Sequence, residues 1–356
     1  MAQSNDTIGM LDLMIRPGFC VKDNKIIRVN PAAESHQIKV GTPISKLLET
    51  GKKEYAEFTG GCLYLTLNIY DQPCGASVTR VEDFDVFLLE QDTEQAELQA
   101  LALAARELRD PLTSIMTTTD ILFPSAQSDP AMREQMIRLN RGLYQMLRVI
   151  GNMSDAGRFA SGSASRMETV DITAVMGEIF QKAAVLAEQA GIGLTFTNLK
   201  RPVCILADRD ILERGVLNLL SNALKFSPRG GTVTASLTKK AGLLILTVQD
   251  SGDGVPEHIK GSFFNRYLRQ PAVEDSRHGL GLGMVLVRSA AARHGGTVLL
   301  DQPNGTGARI TMTLAIRQNT DTVVQSHRLR IDYAGERDHS LIELSDILPA
   351  ELYDIK

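Results

Sequence analysis

The sequence predicts an α+β multidomain chain, and three observations carry that prediction. Residues 19–90 place short strand patterns between turns, residues 98–159 repeat apolar side chains at helical spacing, and residues 171–316 alternate helices with strands. With 356 residues the chain can hold two or three domains, each with its own core.

In the first region Phe19-Cys20-Val21 and Ile26-Ile27-Arg28-Val29 flank the turn Asp23-Asn24, and Asn30-Pro31-Ala32-Ala33 has the form of a cap opening a short helix. Three more strands are expected over 62–70, 75–81 and 84–89. Two strands, short helices and three antiparallel strands follow an order that resembles a PAS sensor domain, here 1–91. The resemblance implies a small ligand or a protein as its signal.

The period then changes. Leu98, Leu101, Ala105, Leu108, Leu112, Ile115, Thr119 and Leu122 alternate steps of three and four, and Met132, Met136, Leu139, Leu143, Met146, Ile150 and Met153 repeat the spacing. Two such helices joined near Pro124 make an antiparallel hairpin over 92–160. One apolar stripe per helix is completed by a second copy, so a homodimer with a four-helix bundle is expected. The alternative is a monomeric hairpin packed on its neighbouring domains.

After the small-residue linker Ser161-Gly162-Ser163-Ala164-Ser165, helices are expected over 171–190, 208–226 and 284–294, with strands over 194–198, 232–237 and 243–249. This third domain covers 161–317. Within the extension 318–356, whose role the sequence leaves open, 328–333 and 340–344 read as a pair of strands about Gly335.

Composition removes several functions. With 38 Lys and Arg against 42 Asp and Glu, the net charge is −4. No basic run exists for nucleic acid or anionic lipid. No apolar stretch reaches the length of a membrane span, and the first seven residues lack the pattern of a signal peptide, so a cytoplasmic protein is expected. Cys20, Cys62, Cys74 and Cys204 contain no C-x-x-C pair and read as buried thiols.

The chemistry lies in the third domain. Asn218 and Asn222 stand four apart on one helix face, where neutral amide oxygens can hold a hydrated divalent cation while Lys225 reaches phosphate. Asp250-Ser251-Gly252-Asp253-Gly254 follows an apolar strand, so its first carboxylate can accept a bond from an amino group such as adenine's, with Gly252 and Gly254 permitting close backbone approach. Gly279-Leu280-Gly281-Leu282-Gly283 opens the next helix with free N–H groups able to bind phosphate.

Over 98–316 the chain resembles a bacterial sensor histidine kinase of two-component signal transduction. The 218–225 run looks like the family's N box, 250–254 like its G1 box, 279–282 like its G2 box, and Phe264-Asn265-Arg266-Tyr267-Leu268-Arg269 like the F box of its lid. The similarity implies a Bergerat-type (GHKL) α/β sandwich in which Asn222, with Asn218, holds Mg²⁺. It further implies that Asp250 reads the adenine of ATP and that Lys225, Arg269, Gly279, Leu280, Gly281 and Leu282 serve the phosphates. A response regulator or partner kinase is the implied partner.

One departure bears on activity. Arg106-Glu107-Leu108-Arg109-Asp110-Pro111-Leu112-Thr113 matches the family's H-E-L-R-T-P-L motif, except that Arg106 replaces the phosphoacceptor histidine and Asp110 the threonine. Imidazole attacks through a neutral nitrogen lone pair; guanidinium has none to offer and stays protonated. Glu107 remains, and none of the six histidines falls on either hairpin helix. The expectation is a homologue of the histidine protein kinases with conformational output, a pseudokinase, in which ordinary autophosphorylation is disfavoured. Thr113 or Ser114 could serve as acceptor only if the ATP domain docked about two turns further along the helix. Three other classes remain: a GHKL-type ATPase, an anti-sigma-like serine kinase and a nucleotide-gated interaction scaffold. The ATPase is disfavoured because Asn218 stands where those hydrolases place a glutamate base.

Overall fold

The computed structural model describes residue 11 and residues 14–160, 166–260, 263–264, 281–302, 306–317 and 337–355. The N-terminal unit contains β1 (Gly18–Lys22), β2 (Lys25–Val29), α1 (Pro31–Glu34), α2 (Lys52–Ala56), β3 (Cys62–Ile69), β4 (Gln72–Val81) and β5 (Phe84–Leu89). Its strands pair antiparallel in the order β2-β1-β5-β4-β3. Asn30 ties the start together, since its Oδ1 accepts the Ala33 N–H that begins α1 (2.9 Å) and the Gly18 N–H (3.0 Å).

Strand β3 is apolar on both faces for a reason visible in the packing. Leu63, Leu65 and Leu67 enter the N-terminal core with Phe19 and Phe87, while Cys62 and Tyr64 belong to the core of the C-terminal unit. Its free edge pairs antiparallel with β11 (Val298–Asp301), matching Tyr64 with Val298, Leu63 with Leu299 and Cys62 with Leu300. The two units therefore share a single ten-stranded sheet.

Helices α3 (Asp92–Leu122) and α4 (Pro130–Ala160) form the hairpin, with a 3₁₀ turn at Phe123–Ala126 between them. Packing divides the heptad stripe in two. Leu98, Ala105 and Leu112 are buried with Leu143, Ile150 and Met153 between the helices. Leu108, Ile115, Leu122, Met132, Leu139 and Met146 stay about half exposed as a separate stripe. The hairpin also packs against α8 (Gly283–Arg293), through Leu282, Val285 and Leu286.

The C-terminal unit adds β6 (Glu168–Asp171), α5 (Ile172–Gln189), β7 (Gly193–Thr197), β8 (Cys204–Ala207), α6 (Arg209–Phe226), β9 (Thr232–Lys240), β10 (Leu243–Gln249), α7 (Glu257–Lys260) and β12 (Arg309–Ala315). Its strands continue the large sheet in the order β11-β12-β10-β9-β7, and β6 pairs with β8 apart from it. Met176 and Phe180 of α5, Leu212 and Leu220 of α6 and Val287 and Ala291 of α8 close a core with Leu246 and Met312 of the sheet, giving a helix layer over a strand layer.

Two sequence expectations need correction. Residues 340–344 are not a strand: α9 (His339–Glu343) is a helical turn capped by Asp338, whose Oδ1 accepts the Ser340 N–H at 2.7 Å, and Ala350–Tyr353 is a 3₁₀ turn. The expected strand at 328–333 falls outside the described residues. Nor are the four cysteines all buried thiols. Cys20 and Cys62 are buried, but Cys74 is half-buried and Cys204 exposed, because Ile205 and Ala207 take the inward positions of β8. Among the described residues no helix is long and apolar enough to cross a membrane.

Candidate nucleotide site

Helix α6 starts at Asp208, whose Oδ1 caps the Ile211 N–H (3.2 Å), and it carries Asn218, Asn222 and Lys225 one or two turns apart on the same face. The first turn of α8 lies over that face. A Cβ on Gly283 would stand 3.1 Å from Asn218 Oδ1 and 3.7 Å from Asn222 Nδ2. Asn222 is half-buried, with Nδ2 directed at Met284 Sδ (3.3 Å) and no partner on Oδ1 among the described residues.

Asp250 follows β10 and is held by backbone. Its Oδ1 accepts the Gly252 N–H (2.9 Å) and the Ala308 N–H (3.0 Å), and its own N–H donates to the Ala308 carbonyl (3.0 Å). Burial raises the carboxyl pKa above the usual range, and the two N–H donors partly offset this. The second oxygen has no partner among the described residues, which leaves an oriented acceptor for an exocyclic amine.

The glycines around it answer to chain crossing. Added Cβ atoms would meet Phe226 O at 2.4 Å from Gly252, Gln302 Nε2 at 1.8 Å from Gly254 and Asp250 O at 2.2 Å from Gly307, where φ is also positive at +69°. The sequence reading placed Gly252 and Gly254 beside a base. In the structure Gly252 makes room for the end of α6 at Phe226, while Gly254 and Gly307 let the 250–254 loop and the residues before β12 lie against each other around Asp250.

The face of α6 that carries Asn218 and Lys225 is crowded. Asn218 is buried, its Nδ2 donating to Arg214 O (3.0 Å) and Glu343 Oε2 (3.2 Å) and its Oδ1 lying 3.5 Å from Asn152 Nδ2 of α4. Lys225 Nζ is 3.8 Å from Asp346 Oδ2. Arg148 of α4 donates to Ser221 Oγ (3.0 Å) and pairs with Asp346. The sequence reading missed Arg148, Asn152, Arg214, Glu343 and Asp346; nothing in their local spacing sets them apart.

Of the glycine-rich stretch, Gly281 is exposed with φ +70° and the Leu282 side chain is buried in the core with the hairpin and Ile342, so only its backbone faces the choice of a phosphate. Arg269, Gly279 and Leu280 lie outside the described residues. The donors present fit a hydrated Mg²⁺ through Asn222 Oδ1, since that ion keeps waters and phosphate oxygens as its other ligands. Among the described residues no cluster of three or more His, Cys, Asp or Glu forms a metal site.

On α3, Ala105 is buried while Arg106 and Glu107 are exposed and without partners among the described residues. Pro111 continues the helix but supplies no N–H, leaving the Glu107 carbonyl without its usual donor. Thr113 donates its hydroxyl to Arg109 O at 2.9 Å, a bond within its own helix.

Residues 207–318 match the family described as histidine kinase-, DNA gyrase B-, and HSP90-like ATPase. The two-layer fold and the 218–225 and 250–254 elements define a GHKL-type ATP-binding domain. Curated relatives include the sensor-like histidine kinase SenX3 of Mycolicibacterium smegmatis, 26% identical over 65% of this chain and 62% of that protein. A second is the histidine-protein kinase/phosphatase MprB of Mycolicibacterium vanbaalenii, 33% identical over 60% of this chain and 45% of that protein. The chain spans less than two thirds of either relative. A structure of full-length ShkA in complex with AMPPNP shares the fold, with a TM-score of 0.51 and 23% identity over 62% of this chain and 46% of that one. The chain is a bacterial sensor histidine kinase homologue with a GHKL ATP-binding domain.

Proposed function

We propose that the protein is a two-component signalling protein that binds ATP with Mg²⁺ as a homodimer and delivers a conformational output to a response regulator or partner kinase. The observation that carries the reading is Asp250, held by two backbone N–H groups with its other oxygen turned to accept. In this reading ATP supplies its adenine amine to Asp250 and its phosphates to Lys225, with Asn222 and Asn218 holding Mg²⁺. Arg269, Gly279 and Leu280 would close over the phosphates. The cytoplasm, where ATP is available, is the proposed location.

The N-terminal strand order and the hairpin support domain limits of 1–91 for a PAS-like sensor, 92–160 for dimerisation and 161–317 for nucleotide. Six half-exposed apolar side chains supply the pairing surface. Completing their burial in a partner contributes roughly 1 kcal/mol each toward association. A sensor signal has a short route. Arg288 of α8, buried, pairs with Glu90 (2.9 Å) after β5 and Glu94 (2.6 Å) of α3 and lies over the Tyr64 ring. One side chain thereby joins sensor, hairpin and nucleotide domain.

Arg106 at the phosphoacceptor position offers no imidazole for a phosphohistidine, and its protonated guanidinium is a poor nucleophile. Glu343 beside Asn218 does not restore a hydrolytic base, because Arg214 and Arg148 hold that carboxylate as an ion pair. The test is incubation with γ-labelled ATP and Mg²⁺. Wild type should carry no acid-labile, base-stable label, and Arg106→His should gain some. Acid-labile label on wild type would sink the conformational-output reading. In light scattering, Leu108→Asp with Ile115→Asp should convert a dimer to a monomer; a monomeric wild type would refute the bundle.

A further inference from the structure

The segment 337–355 is built into the groove between α4 and α6. Ile342 packs into the hairpin core, and Leu344, Leu348 and Tyr353 join the core of the nucleotide domain. Tyr353 stacks edge-on against Tyr144 of α4 at 5.0 Å and donates its hydroxyl to Leu341 O at 2.9 Å. Asn140 Nδ2 donates to Tyr353 O at 2.7 Å, and Arg141 to the carbonyls of Ser345 (3.3 Å) and Asp346 (3.2 Å).

Two of its five acidic side chains, Glu343 and Asp346, meet the face of α6 that carries Asn218 and Lys225. Glu343 is fully buried, ion-paired with Arg214, 3.6 Å from Arg148 Nε and bonded to Asn218. Asp346 pairs with Arg148 and stands 3.8 Å from Lys225 Nζ. A buried carboxylate persists only when cations and donors surround it, and here those groups come from α4 and α6 together. The segment thus clamps the nucleotide helix to the hairpin with its charges where the proposed site needs its cation and its amide.

We propose that residues 337–355 are an intramolecular competitor of Mg·ATP. Asp346 occupies Lys225 and Glu343 occupies Asn218, and the segment must leave the groove before the polyphosphate can be held. This rests on the nucleotide reading and deepens it by naming a regulator of the same site. A polyphosphate beside Glu343 and Asp346 would meet like charge and find Lys225 already paired. The open form is then the binding-competent fraction, and apparent affinity is reduced by that fraction.

The experiment titrates the full chain with a fluorescent ATP analogue and Mg²⁺, comparing wild type, Asp346→Asn and Tyr353→Ala. The first variant removes the carboxylate charge that faces Lys225 and Arg148, at a partly exposed position; the second loosens the anchor without touching any residue assigned to nucleotide. Both should bind about threefold to tenfold more tightly than wild type. Amide exchange over 337–355 should rise when unlabelled Mg·ATP is added to wild type. Equal affinities, or unchanged exchange with nucleotide bound, would overturn the competition while leaving nucleotide binding intact. No binding by any of the three would overturn the nucleotide reading and the competition with it.

Discussion

The two ends of the candidate site, the proposed adenine end and the proposed phosphate end, are held in opposite ways. At the adenine end Asp250 is fixed by the N–H groups of Gly252 and Ala308, so its position follows from the backbone path of two adjoining loops. At the phosphate end Asn218 and Lys225 are engaged by the side chains of residues more than a hundred positions away, Glu343 and Asp346. A backbone-held group is ready for a ligand at all times, whereas a side-chain-held group is available only when its protein partner withdraws. On the proposed assignment, recognition of the base and control of the phosphates are separable within one pocket.

Breaking the adenine end should have the largest effect. Gly307→Ala puts a Cβ 2.2 Å from Asp250 O at a φ of +69°, so loop and turn must part. A loss of about 3 kcal/mol in chemical denaturation is expected, together with loss of nucleotide binding. Native stability in this variant would mean that the crossing of the two loops does not fix Asp250.

The phosphate end separates its two amides. Asn218→Ala removes a donor from the buried Glu343 and should cost about 1 to 3 kcal/mol of stability. Asn222→Ala touches only Met284 among its described partners and should leave stability nearly unchanged while abolishing the Mg²⁺ dependence of nucleotide binding. If both variants were equally destabilised, Asn222 would be a packing residue and the assignment of the cation to it would fail.

The smallest effect concerns pH at the start of α6. His294 Nε2 accepts the Asp208 N–H at 3.0 Å, so the ring is neutral and its Nδ1–H donates to Ala290 O at 2.6 Å. Burial lowers its pKa below the ordinary 6.5. The unfolded chain then binds the proton first, so this contribution to stability is whole above about 6.5 and is lost as pH falls from there through the folded-state pKa. A shallow loss of stability over that interval, absent in His294→Gln, is expected. A slope of the opposite sign would show that the ring is charged in the folded protein.

What the sequence disclosed follows the same division. The 250–254 and 218–225 runs were legible because turn glycines and i, i+4 amides leave a local pattern. The hairpin helices were legible too, but one heptad stripe could not tell Leu112, which faces α4, from Ile115, which faces outward, since both satisfy the spacing. Residues 340–344 misled because a short apolar run such as Leu341, Ile342 and Leu344 is compatible with strand or helical turn, and Asp338 as its cap decides for the helix. Glu343 was invisible for a different reason: its meaning comes from Arg214, 129 residues away, and from Arg148 on another helix.

The central claim is that Asp250 reads a nucleotide base in a pocket that also needs Mg²⁺. Calorimetric titration of the full chain with ATP tests it directly, with and without Mg²⁺, for wild type and Asp250→Asn. The account predicts binding by wild type only with Mg²⁺, and a loss of roughly 1.5 to 3 kcal/mol, about tenfold to 150-fold in affinity, in the variant. Equal affinity of the two proteins, or binding indifferent to Mg²⁺, would contradict it.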